Sequence, residues 1–191
     1  MAPRTEQQFE IIREERKEQI MKVALELIAQ DGFANVSISK IAAKAKISKG
    51  LMYNYFDSKE KMITEIMIGG FEELERVFDP NKDGILTDDE LHFLIEETFR
   101  ILQSNIKFWR LYFMIMFQPE VYKLIEKQLQ KALKPFMNIT YNYFVKRGYE
   151  DPAAEVSLFG AILDGVSLNF VMNPRIFPLE GIKSKLHSMY K

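Results

Sequence analysis

Cysteine is absent from the 191 residues, and only two are histidine. The first absence excludes disulfides, cysteine–zinc sites and thiol catalysis, and it fits a reducing compartment. No long apolar run is free of charge: the stretch 108–117 contains Arg110, and the stretch 156–172 contains Asp164. Both fall short of a membrane span. The first ten residues are polar and have no apolar core, so no secretory signal is visible. Internal repeats and low-complexity tracts are missing, as are a phosphate-binding glycine loop and a nucleophile–base pair. Those gaps speak against an enzyme and place the chain in the cytoplasm. What remains, 47% hydrophobic and 28% charged, is enough for one or two small packed domains.

Net charge is also nearly absent, at -1, but its distribution is uneven. Between Ser37 and Lys61 six lysines (40, 44, 46, 49, 59 and 61) face only Asp57 and Glu60, a local net of +4. A basic segment of this kind meets phosphates.

Hydrophobic residues recur at helical period almost everywhere, and no segment alternates over a strand length, so the fold class is all-α. A first helix spans about 9–29, with Gly32 as its C-cap glycine and Phe33 as the accompanying apolar contact. Ser37 caps a short helix, 38–45, and Ser48 caps another, 49–55. The second buries Leu51 or Met52, and Tyr55. Ser58 opens a longer helix to about 78. Loop 79–87 follows, then helices over 91–102, 106–117 and 121–146, the last kinked or divided by Pro135. Asp151-Pro152 opens a helix to 172, Asn173-Pro174 stops it, and a final helix covers 179–189.

The stretch 37–62, SISKIAAKAKISKGLMYNYFDSKEKM, is the most specific in the chain. Small Ala42 and Ala45 allow two short helices to approach closely, as a helix-turn-helix requires. A glycine near the start of the second lets backbone approach a duplex. Its run of Ile41, Ala42 and Ala45, then Ser48-Lys49-Gly50, Tyr53-x-Tyr55-Phe56 and Ser58-Lys59-Glu60 resembles the TetR (tetracycline-repressor) family of transcriptional regulators. The resemblance is strong over about 10–70. It implies a helix-turn-helix domain at 1–62 and a helical effector-binding and dimerisation domain at 63–191. It further implies a homodimer on a palindromic duplex operator, a repressor released by a small-molecule effector. Carried over by position, the DNA-facing set is Lys49, Gly50, Tyr53, Asn54, Tyr55 and Lys59, with Ser37, Lys46 and Ser48 as secondary members. Lys59, Tyr53 and Tyr55 are expected on phosphates, and Lys49, Gly50 and Asn54 on base edges. One residue departs from the pattern. The inter-helix turn carries Lys46 where the family has glycine, and a left-handed conformation there costs about 1 kcal/mol.

Residues 79–90 present a different pattern. Asp79, Asn81 and Asp83 stand at positions one, three and five, and Gly84 at the sharp sixth position. Ile85 offers a carbonyl at seven, Leu86 is apolar at eight, and Glu90 closes the loop at twelve. This register resembles the EF-hand calcium loop. The competing reading needs no metal, because Thr87-x-x-Glu90 is also a capping box and Asp83-Gly84 a common turn. Calcium sensing through this loop is therefore the alternative function.

The C-terminal half is loaded with aromatic and methionine side chains. Phe99, Trp109, Tyr112, Phe113, Met116, Tyr141 and Asp164 form the candidate effector pocket, although any one of them can equally be core. Helix 153–172 is apolar nearly all round, with Ser157, Gly160, Ala161, Gly165 and Ser167 as small notches. Such a helix needs a second covering surface, which a twofold dimer supplies. Asp164 then reads as an interface group or an effector contact. His92 and His187 read as surface or capping residues.

Overall fold

The computed structural model describes residues 6–190. Among them are nine α-helices and no strand. The chain forms two compact units. One takes in the chain through Met67 together with Leu111–Ile125; the other comprises Ile68–Arg110 and the chain from Glu126.

The first unit is built on α1 (Glu6–Asp31), α2 (Ile38–Lys44), α3 (Lys49–Tyr53) and the first half of α4 (Lys59–Glu75). Only the second half of α1 is apolar at core spacing, and there Ile20, Ala24, Leu25 and Ile28 are at most 2% exposed. The helix ends where Gly32 adopts φ 82° and returns its N–H to the Ile28 carbonyl at 2.9 Å. Gln118 completes this cap from 86 residues away along the chain. Its amide donates to the same Ile28 carbonyl at 3.2 Å, and its oxygen accepts the Phe33 N–H at 2.8 Å. Ile41, Met52, Met62, Ile63 and Met67 close the core beneath.

The second unit contains the rest of α4, most of α7 (Pro119–Lys146), and α5 (Asp88–Ser104), α8 (Pro152–Met172) and α9 (Leu179–Met189). Helix α6 (Ile106–Met116) begins in this unit and ends in the first. Helix α7 runs on undivided through Pro135, which removes one of the two expected outcomes, division, and leaves the kink. Pro135 is exposed, so the carbonyl it leaves without a helical N–H lies within reach of water. The core gathers Leu91, Leu94, Ile95, Phe99, Trp109, Phe144, Phe159 and Leu186. Phe144 is its hub, with ring contacts to Tyr149, Phe159 and Tyr190.

Helix α8 starts on the cap from Asp151 Oδ1 to the Ala154 N–H at 3.0 Å. Contrary to expectation, its 21 residues are long and apolar enough to cross a membrane by length and composition, because the helix begins before the stretch 156–172; 33% of its most apolar window is buried. Phe159, Leu163 and Phe170 face the core, while Leu158, Ala161 and Met172 are exposed. A methyl group added at Gly160 or Gly165 would meet nothing within 4 Å. Of the small notches of α8, Ser157, Gly160, Ala161 and Gly165 therefore open outward, while Ser167 is buried.

Candidate nucleic-acid interface

Three serine caps define the basic segment. Ser37 Oγ accepts the Lys40 N–H at 3.2 Å, Ser48 Oγ the Leu51 N–H at 3.0 Å, and Ser58 Oγ the Lys61 N–H at 3.1 Å. Each hydroxyl hydrogen stays free to donate outward, because a cap uses only the oxygen. Between α2 and α3 the chain reverses at Lys46, with φ 56°. The Lys46 N–H bonds to Ala43 and the Ile47 N–H to Ala42, at 3.2 and 3.0 Å. These are the paired bonds of a Schellman cap. The turn that glycine makes at this position is thus made by lysine, and its side chain is carried exposed beside the two short helices.

Helix α3 is shorter than the sequence suggested, ending at Tyr53 with Asn54 as its C-cap. Its inner anchors are Met52, fully buried, and Phe56 just beyond, 3% exposed. Leu51 is 39% exposed and Tyr55 only half-buried, because five helical residues present one inward position. The opposite face holds Ser48, Lys49, Gly50, Tyr53 and Asn54, all exposed. Nothing lies within 4 Å of where a Gly50 side chain would begin.

The lysines divide sharply. Lys40 pairs with Asp31, and Lys61 with Asp57. Lys59, expected on a phosphate, is engaged inside the unit. Its Nζ donates to the Phe33 carbonyl at 2.6 Å and lies 4.0 Å from the centre of the Phe33 ring. It thereby ties the start of α4 to the segment after α1. Lys44, Lys46 and Lys49 keep their ammonium groups free, clustered around the α2–α3 turn. Three cations thus flank or begin α3, which also presents an exposed tyrosine and, at its C-cap, an exposed carboxamide; a short helix of this kind fits the major groove of a duplex.

Residues 20–66 match the model of the bacterial regulatory proteins of the tetR family. The helix-turn-helix of this chain is of the TetR type. Among the family's characterised members, the fatty acid metabolism regulator protein of Bacillus subtilis (strain 168) is 26% identical over 184 residues, covering 88% of this chain and 90% of that one. The TetR-type fold recurs in the structure of FadR from Bacillus subtilis in complex with stearoyl-CoA. That structure has a TM-score of 0.68 and 22% identity, over 91% of this chain and 96% of that one. It also recurs in NalD, the secondary repressor of the MexAB-OprM multidrug efflux pump in Pseudomonas aeruginosa. There the TM-score is 0.68 at 19% identity, over 93% and 95% of the two chains.

The candidate effector residues are mostly core. Phe99, Trp109, Tyr112 and Phe113 are at most 4% exposed, Met116 is half-buried, and Tyr141 and Asp164 reach the surface. Asp164 keeps solvent-facing area, yet burial among its neighbours raises its carboxyl above the ordinary value. Open space lies elsewhere in the second unit, in a cleft of about 320 Å³ lined by Arg76, Phe78, Pro80, Lys82, Phe136 and Ile139, among others. Phe78 stacks on Phe136 there, ring centres 4.0 Å apart.

Loop 79–90 folds back on its own groups. Asp79 accepts the N–H groups of Asp83 and Gly84, and Asp83 that of Ile85. Glu90 Oε2 accepts from Thr87 N and Oγ at 2.9 and 2.8 Å, which completes a capping box on α5. The Asn81 amide donates to Asp83 at 3.2 Å and to Glu90 Oε1 at 2.8 Å. The ligand set expected for calcium (Asp79, Asn81, Asp83, the Ile85 carbonyl and Glu90) thus has an N–H₂ group where a cation would need an oxygen. Among the described residues no group of three or more Asp, Glu, His or Cys is arranged to hold a metal ion. As placed, these donors do not fit calcium.

Proposed function

We propose that this regulator binds a palindromic operator as a homodimer, with α3 of each copy in successive major grooves and α8 and α9 against the partner. The observation that carries the reading is the outer face of α3, where the side chains of Lys49, Tyr53 and Asn54 are exposed and free of intramolecular partners while Met52 on the inner face is fully buried. Support for the dimer is the outward-opening face of α8, where Leu158, Ala161, Met172 and the two glycines have no cover within the chain. Repression released by a small molecule is the mode we infer, and fatty-acyl thioesters are the first class to test, since the similar FadR structure holds stearoyl-CoA. We place the entrance for such a molecule at the 320 Å³ cleft, where Arg76 and Lys82 offer cations beside the Phe78–Phe136 stack.

Selection of bound duplexes from a randomised library should enrich an inverted repeat with half-sites about one helical turn apart. Added acyl-CoA should then release the labelled operator, and less readily from Arg76→Ala. Leu158→Asp should give monomers in sedimentation and lose operator affinity with them. A random or single half-site selection would contradict the dimeric reading.

Calcium sensing is the second reading, favoured by the register of 79–90 and by Gly84 at φ 75° in the sixth position. It requires the Asn81 amide to turn over and Glu90 to leave its cap, which opposes binding by about 1 kcal/mol. A melting temperature that rises with calcium, and does not in Glu90→Gln, supports it; a melting curve indifferent to millimolar calcium removes it.

A further inference from the structure

The two histidines of the chain lie far apart in sequence, and in the second unit they meet. His92 on α5 and His187 on α9 pack edge to face, ring centres 4.5 Å apart and planes at 69°. His92 Nε2 and His187 Nδ1 are both sealed from solvent, and neither has a hydrogen-bond partner. A buried polar atom left in this way costs about 1–3 kcal/mol. Two of them on adjoining rings call for a common partner.

The surrounding groups define what that partner is. His187 Nε2 stands 2.8 Å from Glu96 Oε1, and Lys183 Nζ is 2.7 Å from Glu96 Oε2. Burial alone would raise the Glu96 carboxyl, but the hydrogen bonds from His187 and Lys183 outweigh it and hold the group below its ordinary value. An ionised carboxylate only accepts, so His187 Nε2 carries the hydrogen of this bond. In the neutral ring the lone pair is then on Nδ1, the nitrogen without a partner. A histidine held through one N–H by a carboxylate, with its other nitrogen bare, is prepared to ligate a metal.

We propose that His92 Nε2 and His187 Nδ1 jointly bind one divalent transition-metal ion of the zinc, nickel or copper class, clamping α9 onto α5. Imidazole is a ligand of choice for this class and a poor one for calcium or magnesium. Two metal–nitrogen bonds of about 2.0–2.1 Å span rings at this separation. The nearby carboxylates are otherwise engaged: Asp88 is held by Tyr143 and Arg147, and Glu96 by His187 and Lys183. Among the described residues no group of three or more His, Cys, Asp or Glu is arranged around an ion, so the two imidazoles are its protein ligands. The metal site is thus separate from loop 79–90 in both ligands and ion class.

The test uses the full chain without a histidine tag, stripped with chelator, so that these are its only imidazoles. Zinc or nickel should raise the melting temperature and saturate at one ion per chain. His92→Gln and His187→Gln should each abolish the metal-induced rise, whatever their own melting temperatures. Glu96→Gln keeps both ligands and should weaken metal affinity about 10–100-fold. A second measurement needs no variant: copper(II) bound to the wild-type chain should show hyperfine coupling to two imidazole nitrogens in its electron paramagnetic resonance spectrum. Absence of a zinc- or nickel-induced shift would overturn the proposal. So would a shift that survives when His92→Gln and His187→Gln are combined, or a copper signal from oxygen ligands alone.

Discussion

The α2–α3 segment and loop 79–90 are both short, capped, charged motifs with a clear register in the sequence, yet they fold to opposite states. In the first, serine oxygens and a lysine Schellman cap satisfy the backbone, and the charged side chains are left over. Lys44, Lys46 and Lys49 stand exposed with nothing to bind. In the second, the charged side chains are themselves the caps: Asp79, Asp83 and Glu90 accept N–H groups of their own loop. Carboxylates that hold their own loop's N–H groups must share or give up those bonds when a ligand arrives, whereas cations left over by the caps give up nothing. The acidic loop is of the former kind, and the helix-turn-helix of the latter.

The sharpest way to break this comparison is to remove the free groups of α3. Lys49→Ala and Asn54→Ala should each cost about 1–3 kcal/mol of discrimination at the base pairs they read, measured as a 5- to 150-fold loss in operator titrations. Melting temperatures should stay close to wild type, because neither side chain has an intramolecular partner. A large thermal effect would mean that these groups are structural after all.

A smaller effect of the opposite kind belongs to the loop. Thr87→Ala removes the cap on α5 and should destabilise the chain by about 1 kcal/mol, read from chemical denaturation. Operator affinity of the folded fraction should not change. If it falls, the loop is coupled to DNA binding and the contrast drawn above fails.

Lysines within the basic segment provide a finer division. Lys46→Ala should lower the slope of log affinity against log salt by about 0.9 if Lys46 meets one phosphate. Lys59→Ala should instead lower the melting temperature and leave the slope nearly unchanged, since Lys59 is bound to the Phe33 carbonyl. Equal slope changes in the two variants would show that Lys59 leaves Phe33 on binding DNA.

Local chemistry was legible in the sequence. Ser37, Ser48, Thr87 and Asp151 cap the helices expected of them, and Gly32 ends α1. These signals act within a few residues and survive any tertiary arrangement. Pro135 left division or a kink open, and division is ruled out because packing holds both halves: α7 buries Ile125 before it and Phe136 and Phe144 after it. The groups missed were long-range ones. Gln118 caps α1 across 90 residues, and His187 reaches Glu96 across 91. No local period or motif encodes such pairs. The lysine at the α2–α3 turn shows the reverse case, in which the expected strain is present and the turn forms regardless. Its cost is about 1 kcal/mol, well within what two Schellman bonds and the buried Ile41 and Met52 can offset.

The smallest expected effect concerns acid. Burial opposes ionisation of Asp88, but the Tyr143 hydroxyl and Arg147 hold its carboxyl below 3.8. Glu96 is likewise held below 4.5 by His187 and Lys183. A carboxyl lowered in the folded state adds stability that is full above its unfolded value and lost as the pH falls through the folded one. Denaturation midpoints should therefore be level near neutrality on account of these groups and decline below about pH 4.5. Asp88→Asn should flatten part of that decline.

The account rests on the outer face of α3 reading duplex DNA, and one measurement reaches it directly. Selection from a randomised duplex library, run in parallel with the wild-type chain and with the Lys49→Ala, Asn54→Ala double variant, should yield an inverted repeat for the wild type. The variant should keep the half-site spacing, set by the dimer, and lose preference at particular base pairs within each half-site. An unchanged motif in the variant, or no enriched motif in the wild type, would contradict it.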